Sequence, residues 1–142
     1  MDLFHQHVLI KAFVKKPPVV AEALETWLAE LVTAIKMKIV IAPRAIFVEA
    51  EGNEGLTASV NIETSHIALH CWSEFSPPMI QMDVYSCSCF EVETVLEKLN
   101  EYGLISYEYM QIDRNDGFKV TAHEKKETYE RNEFYRQELS PF

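Results

Sequence analysis

Between residues 57 and 85 the chain alternates apolar and polar residues with a period of two, which restricts it to a sheet with one dry and one wet face. Ile67 and Leu69 alternate with His66, Ala68, His70 and Trp72, and Ile80, Met82 and Val84 alternate with Gln81, Asp83 and Tyr85. Thr57–Ile62, His66–Trp72 and Met79–Tyr85 therefore read as strands, as do the β-former-rich stretches His7–Val14, Ile39–Val48 and Leu104–Ile112. Pro43 inside one of them marks an edge or a bulge. Glu49–Glu54 reads as an acidic turn, and Phe75–Pro78 as the turn before the strand at Met79. Two segments keep a helical period instead. After Pro17-Pro18, the residues Val20, Leu24, Trp27, Leu28, Leu31 and Ile35 form one core-facing stripe. A second helix is expected to begin near Ser88, where Ser88-Cys89-Phe90-Glu91 has capping-box form, and to stop at Gly103. Its inward residues are Val92, Val95, Leu96 and Leu99. The expected fold is α+β, a two-layer sandwich in which an antiparallel sheet carries both helices on one face.

A length of 142 residues fits a single domain spanning 1–142, with a charged C-terminal tail from about 120, solvated or forming a peripheral helix over Lys125–Arg136. The net charge of −9 argues against a nucleic-acid partner and suits a cationic small molecule. No apolar run approaches the roughly 20 residues of a membrane helix, and Met1–His5 lacks the features of a signal peptide, so neither a membrane partner nor secretion is expected. The cysteines, Cys71, Cys87 and Cys89, are odd in number, which points to a reducing, cytoplasmic location rather than a disulfide framework. Cys71 and Cys89 read as small buried hydrophobes.

The wet face of the central hairpin concentrates the reactive groups. With the turn at Phe75–Pro78, Trp72 is expected opposite Gln81 and His70 opposite Asp83, with Cys87 in diagonal reach of His70. Imidazole, carboxylate and thiol on one face fit either a site or a solvated surface. Other chemistries match less well. His66 and His70 stand ~13 Å apart on a strand, too far to share a zinc ion, and no metal site is expected. His5 and His7 read as surface residues. Cys87-Ser88-Cys89 lacks the spacer of a redox pair. With four glycines there is no phosphate-cradling loop. A triad of Ser65, His70 and Asp83 is conceivable, but it lacks the Gly-x-Ser-x-Gly turn.

Three stretches carry a resemblance: Gly55–His66 with its terminal Glu63-Thr64-Ser65-His66, then His66–Glu74, then Asp83-Val84-Tyr85-Ser86-Cys87. Together they are similar to the prokaryotic S-adenosylmethionine decarboxylases, self-processing enzymes whose pattern runs Gly-x-Ser, hydrophobics, Glu-Ser-His, three residues, His-x-Trp-Pro-Glu, and later Asp-hydrophobic-aromatic-Thr-Cys. The resemblance implies self-cleavage between Thr64 and Ser65, with Ser65 becoming a pyruvoyl cofactor that forms a Schiff base with substrate. It implies that His70 moves a proton during processing and that Cys87 is the proton donor of the decarboxylation. Glu74 would hold the ribose hydroxyls of S-adenosylmethionine, and Thr57 stands where the family has a hydroxyl-bearing serine. The implied product is decarboxylated S-adenosylmethionine for polyamine (spermidine) synthesis, and the implied assembly is a homodimer of processed protomers. His66 reads as structural.

The chain departs from the pattern at several points. Thr64 replaces Glu, Thr57 replaces Ser and Ser73 replaces Pro, while Pro77-Pro78 lengthens the hairpin turn. Glu51 stands where the family has an adenine-stacking Phe. A carboxylate there suits a cationic side chain, which makes ornithine or arginine the alternative substrate of the same chemistry. A non-processing relative acting as a binding or regulatory subunit is a further alternative.

Overall fold

The computed structural model describes residues 5–127. In chain order the elements are β1 (Gln6–Val14), α1 (Ala21–Ala34), β2 (Ile39–Val48), β3 (Gly55–Ile62), β4 (Ser65–Trp72), β5 (Met79–Ser86), α2 (Val92–Leu99), a 3-10 turn (Asn100–Tyr102), β6 (Leu104–Asp113) and β7 (Lys119–Lys126). The strands form one sheet in the order β2-β3-β4-β5-β1-β6-β7, and every neighbouring pair is antiparallel. The helices lie side by side, tied by Trp27 Nε1–H donating to the Lys98 carbonyl (3.2 Å). The expected two-layer α+β sandwich is the observed fold.

The alternating pattern sets which face is dry. Val8, Ile10, Ala12 and Val14 of β1, Ile67, Leu69 and Cys71 of β4, and Ile80, Met82 and Val84 of β5 are buried in one core. The same core takes in Leu24, Trp27, Leu28 and Leu31 of α1 and Val95, Leu96 and Leu99 of α2. Burying each such side chain stabilises the fold by about 1.5–3 kcal/mol relative to leaving it in water. The polar positions of β4 and β5 are left on the opposite, open face.

Four expectations change. The β4–β5 register places Trp72 opposite Met79, His70 opposite Gln81, Ala68 opposite Asp83 and His66 opposite Tyr85, two residues away from the expected pairing. A slip of two keeps every side chain on its face, so the hydrophobic pattern cannot distinguish these registers. Pairing with β1 does, because Phe13 lies opposite Met79 and Val14 N–H bonds the Pro78 carbonyl. The capping box at Ser88 does not form, and α2 starts three residues after Cys89. The buried Gln6 amide exchanges two hydrogen bonds with the Phe90 backbone (2.9 and 3.0 Å), holding that segment against β1 and out of the helix. Cys89 is exposed rather than buried, being part of the same held-out segment. Finally, the supposed tail contains β7, an edge strand whose lysines face solvent, as edge strands commonly require. Residues 128–142, the rest of that tail, lie outside the described residues. Pro43 sits where the β2–β3 register shifts, as its place in an edge strand predicts.

Candidate active site

Ser65 begins β4 immediately after the two-residue Glu63-Thr64 turn that joins it to β3, where Ile62 pairs with Ser65. Its Oγ is buried and makes no hydrogen bond, the one such side-chain oxygen or nitrogen among the described residues. A buried hydroxyl without a partner costs about 1–3 kcal/mol, so the position is not selected for stability. The β4–β5 register brings Cys87 to this end of the strand. The Cys87 Sγ lies 3.9 Å from the Thr64 carbonyl oxygen, and Cys87 N–H points to Thr64 Oγ1 at 3.4 Å. The peptide bond between Thr64 and Ser65 thus has a hydroxyl on one side and a thiol beside its carbonyl.

Around this pair His5, just before β1, and His7, within it, add imidazoles whose expected place was the surface. His5 Nδ1 stands 3.4 Å from Cys87 Sγ and 3.1 Å from the Tyr85 hydroxyl. His7 Nε2 and His66 Nε2 both lie on Asp83 Oδ1, at 2.7 and 3.1 Å. Arg114 donates to His7 Nδ1 (3.2 Å) and stacks on the Tyr85 ring 4.1 Å from its centroid. Because Arg114 can only donate, His7 accepts at Nδ1 and donates its Nε2–H to Asp83. The Asp83 carboxylate is therefore held by His7 and His66, and not by His70.

His70 belongs to a second cluster farther along the strand. Its Nε2–H donates to the Asn53 carbonyl (3.0 Å), which fixes the tautomer and leaves Nδ1 to accept from the Thr57 hydroxyl at 2.6 Å. Asn53 Oδ1 also accepts from Trp72 Nε1 (2.8 Å), and the Trp72 ring meets His70 edge-on at 4.4 Å. Gly55 makes this loop possible. Its φ is +143°, and a Cβ there would stand 1.8 Å from the Cys71 carbonyl oxygen. Thr57, His70 and Asp83 line a groove of about 560 Å³ on the open face, bounded by Lys11, Glu108 and His123. A hydrogen bond from His123 lowers the Glu108 carboxyl below its ordinary value. Cys71 lies on the dry side of the same strand, and burial pushes its thiol up to about 12, so it is inert.

The structure thus brings together Thr64, Ser65 and Cys87, and separately Thr57 and His70. It does not bring His70 to Cys87. The five residues from Ser65 to His70 along β4 amount to roughly 16 Å. Glu51 and Glu74 are exposed in the β2–β3 and β4–β5 turns. Asn53, His5, His7 and Arg114 complete the two clusters without any local motif to announce them. The period-two alternation of His5 and His7 was their one signal.

The family model described as S-adenosylmethionine decarboxylase matches residues 6–115, which contain both clusters except His5. The chain belongs to the S-adenosylmethionine decarboxylase family. With it, the protein falls among the carboxy-lyases. The crystal structure of the adenosylmethionine decarboxylase from Aquifex aeolicus VF5 has the same fold, with a TM-score of 0.62 at 17% identity over 82% of this chain and 93% of that one. The comparison with curated proteins returned no match. No helix among the described residues is long and apolar enough to cross a membrane.

Proposed function

We propose that this protein cleaves itself between Thr64 and Ser65 and, carrying a pyruvoyl group derived from Ser65, decarboxylates S-adenosylmethionine for polyamine synthesis. The observation that carries the reading is the partnerless, buried Ser65 hydroxyl next to a peptide carbonyl that the Cys87 thiol approaches to 3.9 Å. An oxygen without a hydrogen-bond partner keeps its lone pairs free for attack on the Thr64 carbonyl carbon. That attack moves the acyl group from nitrogen to oxygen. Loss of the Ser65 α-proton then breaks the Cβ–O bond, releasing Thr64 as a carboxylate. Water finally displaces ammonia from the residue left behind. The donor set fits the group so made, which when present supplies an electron sink for the carboxylate's bonding pair.

Cys87, whose thiol is 3.9 Å from the Thr64 carbonyl oxygen, is proposed to return a proton to carbon at the same point. Thr57 and His70 form a hydroxyl–imidazole pair able to move a proton, but about 16 Å separates His70 from Ser65 in one chain. For His70 to act on Ser65, a second copy must present it, and the proposed working form is accordingly a homodimer in which the open faces meet. Glu74 would take the ribose hydroxyls. Glu51, two residues from the Asn53 that carries His70, would instead favour ornithine or arginine if it enters the site.

Carbon dioxide release from carboxyl-labelled S-adenosylmethionine, ornithine and arginine by the purified protein tests the reading. Turnover of S-adenosylmethionine supports it. Turnover of only ornithine or arginine replaces the substrate and keeps the chemistry, while release from none of the three would leave a binding or regulatory relative.

A further inference from the structure

Of the three thiols, only Cys87 has an imidazole nitrogen in contact among the described residues. That imidazole is His5, and its place is fixed by its backbone. His5 N–H donates to Asn115 Oδ1 (2.8 Å), and its carbonyl accepts from Arg114 N–H (2.9 Å), so the residue is clamped just before β1 starts. Its ring stacks on Tyr85 with centroids 6.4 Å apart and points Nδ1 at both the Tyr85 hydroxyl and the Cys87 sulfur. Asn115 is itself held by Asp113 Oδ1 through its N–H (2.9 Å). The charged and titratable groups facing this corner are Tyr85, the Arg114 guanidinium on Tyr85, Asp113, and Asp83 between His7 and His66.

We propose that His5 is a positioning residue for Cys87: it holds the thiol beside the Thr64–Ser65 peptide bond and exchanges a proton with it. This rests on reading Cys87 as the proton donor of the decarboxylation. When Cys87 gives its proton to carbon, the S–H bond breaks and a thiolate remains. A proton then reaches that sulfur through His5 Nδ1, re-forming S–H, and solvent supplies the proton that the imidazole passes on. The Tyr85 hydroxyl, sharing Nδ1, donates to it once that proton has left. No oxidant or further reactant is needed, and the proton consumed at carbon comes from solvent.

The test uses full-length protein carrying Ser65→Ala, which keeps the chain uncut, and Cys89→Ser, which removes the other accessible thiol. Alkylation of Cys87 by iodoacetamide is followed by mass across pH 5.5–9 with His5 present, with His5→Ala and with His5→Asn. Asparagine keeps a polar atom near the Nδ1 position but carries no exchangeable charge. The expected result is a fall of about tenfold or more near neutral pH in both variants, with partial recovery of His5→Ala by added imidazole. Cys71 stays unmodified in each case, showing that the fold is kept. A rate and pH profile in His5→Asn equal to those with histidine would overturn the proposal. Because no variant can process, the outcome is separate from whether the native chain cleaves itself.

Discussion

Ser65 hides a hydroxyl that satisfies nothing, and two consequences follow from that one oxygen. Ser65→Ala removes a buried group with no partner, so the uncut chain should gain about 1 kcal/mol of stability, a rise of a few degrees in melting temperature. Scanning calorimetry of Ser65→Ala against Ser65, both in a His70→Ala background that is not expected to cleave, checks this, and an unchanged or lowered midpoint would mean that the hydroxyl is bonded. Thr57 is the opposite case, since its hydroxyl is committed to His70 at 2.6 Å. Thr57→Val deletes the donor while keeping the shape, and should slow self-cleavage at least about tenfold if His70 moves a proton through it. Thr57→Ser should cleave at the native rate. A time course of fragment appearance reads both. Ser65, Cys87, Thr57 and His70 could be singled out in the sequence because the family pattern they resemble runs continuously through β3 and β4 and past the end of β5. His5, Asn53 and Arg114 could not. They meet the site from 82, 17 and 107 residues away in the pairs His5–Cys87, Asn53–His70 and Arg114–His7, and no local pattern encodes such contacts.

At the scale of elements, the start of β3 depends on one glycine. A Cβ on Gly55 would overlap the Cys71 carbonyl oxygen, a backbone atom that cannot swing aside, in a conformation that side chains rarely adopt. Gly55→Ala should therefore displace the Asn53 loop and release both His70 and Trp72. The expected loss is about 2 kcal/mol or more by urea unfolding, with a change in Trp72 fluorescence before unfolding. Native stability with unaltered fluorescence would refute it. Strand and helix positions were readable because burial imposes the periods of two and 3.6. The β4–β5 register was not, since β1 selects between registers that bury the same residues. Nor was β7, where an edge strand rich in charge has the composition of a solvated tail. The start of α2 was misplaced because the Gln6 amide, far away in sequence, competes with the local capping signal.

For the molecule as a whole, one dry layer between sheet and helices carries the stability, and it includes a thiol. Cys71 is fully buried, and burial raises its thiol from 9.0 to about 12. Between those values the unfolded chain ionises the thiol while the fold keeps it protonated. Its contribution is complete below pH 9.0 and is lost as pH rises toward 12, at about 1.4 kcal/mol per pH unit. Tyr102, raised in the same direction chiefly by burial, adds to this alkaline limb. Urea midpoints from pH 8 to 11 should therefore fall steeply in the native chain and less steeply in Cys71→Ala, and parallel curves would remove Cys71 from the account. Thr57 and His70 line the groove on the open face, while Ser65 starts β4 at its other end, near Cys87, with its hydroxyl buried. The peptide bond before Ser65 is expected to break without any other enzyme. The intact mass of the freshly purified native chain under denaturing conditions measures this most directly. Two fragments are expected, the second beginning at position 65 without a free amino group, and one uncut species for Ser65→Ala. A native chain that keeps its full-length mass while releasing carbon dioxide from S-adenosylmethionine would contradict this.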